Sequence, residues 1–418
     1  MNACTIIAGN YLAYARVLAE SFRSHHPQGC FSVLLLDDPG GEFPAEGGAF
    51  HLVRPQDIMD PQEFHRLSLM YDVTELATAV KPWLMRHLLK DGQPEVVFFD
   101  PDIQIFSPLD DIADLARRHS IVLTPHDIEP MPRDRSNPSE IQVLQSGAYN
   151  LGFIAVGREA ASFLDWWAER LRRHCISAPE QGLFVDQRWV DFVPGYFDHF
   201  ILKDPGCNVA YWNLCNRNLT WNGLRYLVNG EELRFFHFSG FDPEKPHLLS
   251  RHSLPSPRVL LSEHPALRRI CQAYAKELLG HGHRSLSQKP YGLGALENGL
   301  RIDRRMRWIY REALLAFEQG RGEEPPAANG DPDALLRWFN EPIVRSPGAS
   351  VSRYLHSVYS ERVDLQLAFP DLSGKDGERY LNWVRETGVE EARIPGALLP
   401  RLGTGGQLSR DPDRSGRR

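Results

Sequence analysis

The sequence lacks the features that mark several large classes of protein. No run of about 18 apolar residues is present, so no membrane-spanning helix is predicted. The six cysteines of the 418-residue chain are scattered and form no Cys-x-x-Cys pair, which predicts reduced thiols and neither a disulfide framework nor a zinc site. A net charge of −7 argues against a general nucleic-acid binder.

Three motifs of common enzyme classes are also missing. The chain has no Gly-x-x-x-x-Gly-Lys-Ser/Thr, no Gly-x-Gly-x-x-Gly after its first predicted strand and no Gly-x-Ser-x-Gly. These absences disfavour a P-loop enzyme, a dinucleotide-dependent dehydrogenase and a serine hydrolase. No basic leader precedes the first apolar stretch, and Arg16 interrupts its pattern. We therefore expect no signal peptide and a cytoplasmic location.

What is present is the pattern of a nucleotide-binding α/β domain. A β-prone run at 3–7, a helical pattern at 12–22 and a second apolar run at 33–36 form a β–α–β opening. The hydrophobic fraction of 42% is enough for a buried core. We predict an α/β domain over 1–265, a mostly helical region over 266–402 and a disordered tail over 403–418. Further strands are predicted at 96–99, 120–124, 152–156, 208–212 and 233–238.

An acidic pair follows the predicted strand at 96–99. Asp100 and Asp102 flank Pro101, which fixes its own backbone and holds Asp100 extended. Ligands of open α/β sheets bind beyond the carboxyl ends of strands, and two carboxylates there can chelate a hard divalent cation. The alternative is that Asp and Pro only mark a turn. His237 ends another apolar run and could add an imidazole ligand, or be a core histidine with its hydrogen bonds satisfied.

These residues make the chain resemble the GT-A glycosyltransferases, in particular the retaining family that includes glycogenin and bacterial lipopolysaccharide galactosyltransferases. That family carries Asp-x-Asp after a hydrophobic strand and a later His-x-x-Gly-x-x-Lys-Pro. The second motif here runs from His237 through Gly240 to Lys245, with two extra residues before the lysine. The resemblance implies a GT-A, Rossmann-like mixed sheet flanked by helices, with Asp100, Asp102 and His237 as ligands of Mn²⁺ or Mg²⁺.

Four further segments match the family in the same order along the chain. The resemblance implies that residues 8–11 receive the nucleotide base and ribose, and that Asn150 lines the donor-sugar pocket. It also implies that Lys81 contacts the donor phosphate or sugar, and that Lys245 pairs with the diphosphate. It also places Asp186 and Gln187 beside the anomeric carbon. Each of these roles has a structural alternative. Tyr11 could be an ordinary packed aromatic residue and Lys81 a solvated lysine, Asn150 could form a turn, and Asp186 could be the N-cap of a helix. The residues of the first segment are Ala8, Gly9, Asn10 and Tyr11.

The activity implied by the resemblance is metal-dependent transfer of a sugar, with retention, from a nucleotide sugar. A UDP-sugar is the expected donor, and the acceptor is a glycan, a lipid-linked intermediate or a protein. The segments 338–342 and 365–371 resemble a helical region of bacterial polysaccharide glycosyltransferases, which implies a role in cell-surface glycan synthesis. Two other hypotheses stay open. The chain could be a nucleotidyltransferase or nucleotide-sugar hydrolase, or it could be a non-catalytic carbohydrate- or partner-binding module. The helical region could contact another protein, a membrane surface or a second subunit.

Overall fold

The computed structural model describes residues 1–38, 49–296, 298–327, 331, 333–346 and 348–400. The chain divides into two compact units, Met1–Gly294 and Ala295–Arg418. The predicted domain boundary at residue 265 falls where helix Pro265–Gly280 begins, and the first unit includes that helix. Its Tyr274 ring stacks on Phe238 at 3.8 Å between ring centroids, which ties the helix to the first unit. The predicted tail at 403–418 lies outside the described residues.

The strands of the first unit confirm the alternating pattern predicted for its opening. They are β1 Asn2–Ile7, β2 Cys30–Leu35, β3 His51–Val53, β4 Glu95–Phe99, β5 Ile103–Ile105, β6 Ile121–Pro125, β7 Tyr149–Gly157, β8 Ser177–Ala178, β9 Leu183–Phe184, β10 Phe200–Ile201, β11 Leu219–Trp221, β12 Tyr226–Val228, β13 Glu231–Glu232 and β14 Phe235–His237.

Within the described residues, seven of these strands form one mixed sheet in the order β10-β6-β7-β4-β1-β2-β3. β1 pairs in parallel with β2 and β4, β2 with β3, and β10 with β6, whereas β7 runs antiparallel to β4 and β6. The carboxyl ends of β1, β2 and β4 therefore meet at one edge. Every residue of β4 and β7 is buried, as expected for central strands covered on both faces.

The helices of the first unit flank this sheet. They are α1 Leu12–His25, α2 Pro55–Ile58, α3 Pro61–Met70, α4 Val73–Ala79, α5 Lys81–Lys90, α6 Asp110–Arg118, α7 Glu140–Ser146, α8 Ala161–His174, α9 Gln187–Val190, α10 Val193–Tyr196, α11 Pro265–Gly280 and α12 His283–Leu286. The mixed sheet between helices confirms the predicted α/β class.

Two sequence-based predictions differ from the structure. Residues 208–212 form no strand; they make a single bridge, Val209 to Phe236, and Asn208 adopts a left-handed backbone with φ +53°. Asn readily adopts this conformation, which interrupts an extended segment. The strand predicted at 233–238 exists as β14, but it pairs antiparallel with β5 in a separate two-stranded sheet.

The second unit is mostly helical, as predicted, and also contains a β-hairpin. Its helix α13 begins at Arg304, where the Asp303 side chain accepts from the Met306 amide at 2.8 Å. Throughout the described residues, every helix is too short or too polar to cross a lipid bilayer. The elements are α13 Arg304–Glu318, α14 Ala334–Phe339, β15 Pro342–Ser346, β16 Ala349–Ser352, α15 Arg353–Ser360, α16 Val363–Ala368, α17 Gly377–Trp383 and α18 Val389–Glu391.

Candidate functional site

The acidic pair lies where β4 ends and the chain turns into β5. The Asp100 amide donates to the Gly152 carbonyl of β7 at 2.7 Å, and the Phe238 amide donates to the Asp102 carbonyl at 2.8 Å. The backbone on both sides of Pro101 is therefore fixed by neighbouring strands. This arrangement places both carboxylates at the carboxyl edge of the parallel strands, as the sequence predicts.

The pairing of β5 with β14 brings His237 to the same place. His237 is opposite Ile103 in that register, and its Nε2 lies 3.0 Å from Asp102 Oδ1 and 3.9 Å from Asp100 Oδ2. One ligand atom from each of the three residues lies within 4.8 Å of the others. Although burial favours the neutral ring, Asp102 raises the pKa of His237. Two carboxylates and one imidazole are a donor set that suits a divalent cation.

The orientation of the His237 ring is set by its packing. Gly152 lies directly against it, since a Cβ at that position would be 2.2 Å from His237 Cε1. Trp212 packs edge-on from another side, with its ring centroid 5.2 Å away. Trp212 is only 4% exposed and belongs to the core around His237.

Lys81 is almost completely buried, at 2% exposure, and bridges two carboxylates. Its Nζ lies 2.9 Å from Asp186 Oδ2 and 3.5 Å from Asp100 Oδ1, and it donates to the Leu151 carbonyl at 2.8 Å. Burial opposes its charge, but the two carboxylates raise the pKa of Lys81. Burial, partly offset by Lys81, raises the pKa of Asp186 to about 6. The Lys81–Asp186 pair thus links α5 to the metal-ligand candidate Asp100.

Gln187 and Asn150 form a hydrogen-bonded network with the backbone of β7. The Leu151 amide donates to Gln187 Oε1 at 3.0 Å, and Gln187 Nε2 donates to the Ser146 carbonyl at 2.8 Å. Asn150 Oδ1 accepts from the Gly152 amide at 3.1 Å. The side chains predicted near the donor sugar are therefore brought together with Gly152, and their contacts define the shape of β7 beside His237.

Two residues of this network were missed by sequence reasoning. Asn208, with no exposed surface, donates through Nδ2 to Thr124 Oγ1 at 2.9 Å and to Asn150 Oδ1 at 3.1 Å. His126 Nε2 lies 3.4 Å from Asn150 Nδ2, and burial lowers the pKa of His126 to about 4. Neither residue stands in a recognisable motif, because each depends on a contact between segments that are distant in sequence.

The loop after β1 forms the neighbouring part of the same edge. The Gly9 amide donates to Asp37 Oδ1 at 2.7 Å, and Asp37 also accepts from the Gly292 amide at 2.5 Å. Tyr11 is 40% exposed and stacks on Tyr14 with 4.9 Å between ring centroids. Ala8 and Asn10, the other predicted residues of this loop, are buried and half-buried.

A cleft of about 490 Å³ lies between Tyr11 of this loop and Asp102 of the acidic pair. Four predicted residues line it, namely Tyr11, Asp102, Gly240 and Lys245. Gly240 has φ +71°, and a Cβ there would lie 2.4 Å from the His252 ring, so only glycine fits. Lys245 is exposed and lies 3.5 Å from Asp242. Arg251 and His252 also line the cleft and had no sequence signal.

Comparison with known proteins gives relatives of two kinds, although no family model matches the chain. Two uncharacterized proteins of Bacillus subtilis (strain 168) are similar in sequence. YfnF is 26% identical over 275 residues, covering 62% of this chain and 90% of the relative. YfnD is 25% identical over 251 residues, covering 57% and 76%.

The chain is also similar to solved glycosyltransferases. The galactosyltransferase LgtC, solved with donor and acceptor sugar analogues, is 15% identical with a TM-score of 0.39, covering 69% of this chain and 98% of that one. GlyE of Streptococcus pneumoniae TIGR4 is 12% identical with a TM-score of 0.38, covering 69% and 65%. Likeness at this level assigns neither an activity nor a residue role to this chain.

Proposed function

We propose that this chain is a glycosyltransferase that moves a sugar from a nucleotide-sugar donor, a UDP-sugar, to a glycan, lipid-linked or protein acceptor, with retention and in bacterial cell-surface glycan synthesis. The observation that carries the proposal is the convergence of Asp100, Asp102 and His237, whose ligand atoms lie within 4.8 Å of one another. Asp102 of this cluster lines a cleft that also offers Tyr11 and Lys245. An acidic metal site beside an aromatic ring and a cation suits a nucleoside diphosphate.

The donor set fits Mn²⁺ or Mg²⁺, held by the two carboxylates and by the neutral His237 imidazole. Such an ion would neutralise the negative charge that develops on the departing nucleoside diphosphate. In this proposal the chain supplies further positive charge through Lys245 and Arg251, both in the cleft lining. Electrostatic stabilisation of a leaving group is commonly the largest contribution to catalysis of this kind.

The loop after β1 is proposed to receive the nucleoside. Tyr11 presents an exposed ring for stacking on the base, and Tyr14 supports it from behind. Ala8, Gly9 and Asn10 are proposed to position Tyr11 at this edge, where the Gly9 amide donates to Asp37 and the Tyr11 amide donates to the Ala8 carbonyl. Gly240 also lines the cleft, and its lack of a side chain lets the His252 ring pack against the backbone there.

The buried side of the site is proposed to face the donor sugar. Asp186 and Gln187 would stabilise the positive anomeric centre, with Asn150 lining the pocket. Lys81 is fully engaged with Asp186, Asp100 and the Leu151 carbonyl. We therefore assign Lys81 a positioning role. It holds the carboxylates of Asp100 and Asp186 in place and acts on the donor only through their positions.

Calorimetric titration with UDP, in the presence and absence of Mn²⁺, tests the metal site. Wild type should bind UDP in a Mn²⁺-dependent way, and Asp102→Asn should weaken that binding at least about tenfold, since metal sites lose this much even when only a supporting contact is removed. Asp114→Asn is the matched control, because Asp114 is an exposed carboxylate on α6 that pairs with Arg117. Equal binding of UDP by wild type with and without Mn²⁺ would contradict the proposal.

The reaction products test the activity. A panel of nucleotide sugars screened by thermal shift with Mn²⁺ first identifies the donor, because a bound donor stabilises the folded protein. With that donor, a transferase releases UDP only when an acceptor is present. Release of UDP without any acceptor would instead indicate a hydrolase, and release of pyrophosphate from a nucleoside triphosphate and a sugar phosphate would indicate a nucleotidyltransferase.

A further inference from the structure

A second groove lies at the far end of β5 and β14 from the acidic pair. Two cavities of about 340 and 570 Å³ adjoin there and share Ser107, Pro108 and Glu232 in their linings. Phe106, which also lines the smaller cavity, is four residues from Asp102 along an extended chain. At a rise of 3.3 Å per residue, the groove begins roughly 13 Å from the metal-ligand candidates.

A small, well-defined sheet builds the wall of this groove. β11, β12 and β13 form an antiparallel meander in which Trp221 pairs with Tyr226. The turn between β12 and β13 is Asn229-Gly230, with φ +52° and +93°, the backbone that tight hairpins require. Asn222 Oδ1 closes the other turn by accepting from the Leu224 and Arg225 amides at 2.9 Å each. A surface fixed in this way can bind a ligand with little ordering cost.

Aromatic rings line the smaller cavity. The Trp221 and Tyr226 ring centroids are 4.7 Å apart, and the Phe106 ring packs edge-on against Tyr226 at 5.6 Å. The Arg269 guanidinium lies 4.5 Å from the Trp221 ring centroid and supports that ring. Leu224, at the hairpin tip, is 75% exposed and extends the apolar lining.

The polar groups at the rim carry an excess of negative charge, because Asp204, Glu231 and Glu232 outnumber the two arginines, Arg225 and Arg234. Arg225 and Glu232 form an ion pair across the hairpin. In the adjoining cavity Arg234 pairs with Asp204 and Asp111. Because each of these guanidinium groups already faces a carboxylate, an anionic ligand has little to gain here. Neutral hydroxyls, in contrast, can donate to the carboxylates and accept from the guanidinium groups.

We propose that this groove is a second, non-catalytic glycan site that binds a neutral oligosaccharide. One pyranose would lie against Trp221 and its aromatic neighbours, and the next would occupy the adjoining cavity beside Glu232. The C–H face of a pyranose suits the electron-rich face of an aromatic ring, and its hydroxyls suit the charged rim. The choice of a glycan rests in part on the proposed function, since a chain held here stays within reach of the cleft.

Saturation-transfer NMR and calorimetry with neutral hexasaccharides test this site directly. The probes are α-1,4-, β-1,4- and β-1,3-linked glucohexaose, β-1,4-galactohexaose and α-1,6-mannohexaose, added to the full chain without Mn²⁺ or UDP. We expect at least one to bind wild type, and Trp221→Ala to weaken that binding about tenfold or more, as buried aromatic anchors commonly do. Trp308→Ala, which removes a partly buried tryptophan of the second unit, is the control and should change nothing.

A second variant tests the same site in case Trp221→Ala loses binding only because it does not fold correctly. Arg225 is exposed, so Arg225→Ala should keep the wild-type unfolding temperature while weakening hexasaccharide binding severalfold. Absence of binding by every probe, or binding that Trp221→Ala leaves unchanged and Asp102→Asn abolishes, would overturn the proposal. Self-association that Trp221→Ala removes would also overturn it, in favour of a contact between copies of the chain. Mn²⁺-dependent UDP binding is measured on the same variants, so failure of the catalytic assignment is seen separately.

Discussion

Substitution of Gly152 by alanine tests whether packing against His237 sets the metal-ligand geometry. The added Cβ would lie 2.2 Å from His237 Cε1, 2.5 Å from Nδ1 and 2.9 Å from Asn150 Oδ1. Favourable contacts between carbon atoms are about 3.5–4.0 Å, so the ring has to move by more than about 1 Å. The backbone cannot easily move instead, because the Gly152 carbonyl accepts from the Asp100 amide at 2.7 Å.

The size of the effect follows from how little the distance between a metal ion and its ligands can vary. Ligand distances are typically met to about ±0.2 Å, so a displacement of His237 by more than about 1 Å removes it from the ligand set. We expect Gly152→Ala to lower the affinity for Mn²⁺ in the presence of UDP at least about tenfold. Overpacking at this buried position should also lower the free energy of unfolding by about 1–3 kcal/mol.

Calorimetry with Mn²⁺ and UDP, together with urea unfolding, measures both effects. Gly195→Ala is the matched control, because no atom lies within 4 Å of a Cβ added at Gly195 in α10. Wild-type Mn²⁺ affinity in a folded Gly152→Ala variant would refute the reasoning about His237. Equal losses in both glycine variants would also refute it, since the effect would then not depend on the contact with the ring.

Two further predictions concern buried charge. Lys81→Met should lower the free energy of unfolding by about 3–5 kcal/mol, because it leaves the buried Asp186 carboxylate without its cation. Lys245→Met, the control at an exposed lysine, should change the free energy of unfolding by less than about 0.5 kcal/mol. Equal urea midpoints for the two variants would contradict this prediction. Burial favours neutral Glu63, but hydrogen bonds from Arg172 and Arg173 outweigh it and lower the pKa of Glu63 from 4.5 to about 2. The ionised carboxylate therefore stabilises the fold by up to about 3 kcal/mol above pH 4.5, and this is lost as the pH falls toward 2. Glu63→Gln should lower the urea midpoint at pH 7 and much less at pH 3, and a pH-independent difference would contradict the assignment.

Local patterns in the sequence were sufficient for the elements that open the fold. The apolar runs before residues 8 and 100 are long enough and bounded clearly enough to define β1 and β4, and the resemblance named the residues around them. The same local pattern failed at 208–212, where the left-handed backbone of Asn208 breaks the extended segment. A single residue of this kind is determined by its side-chain contacts with Thr124 and Asn150, which periodicity does not reveal.

The sequence by itself determined that two carboxylates end a buried strand, because Asp-Pro-Asp after four apolar residues is a local pattern. The resemblance added His237 to this set, and only the tertiary structure decided how these side chains meet. The antiparallel register of β5 and β14 carries His237 to Asp102, and the fold of α5 against the sheet turns Lys81 inward to Asp186. Both outcomes arise because a buried charged or polar group without a hydrogen-bond or ion-pair partner costs free energy. The partners that the fold provides are distant in sequence.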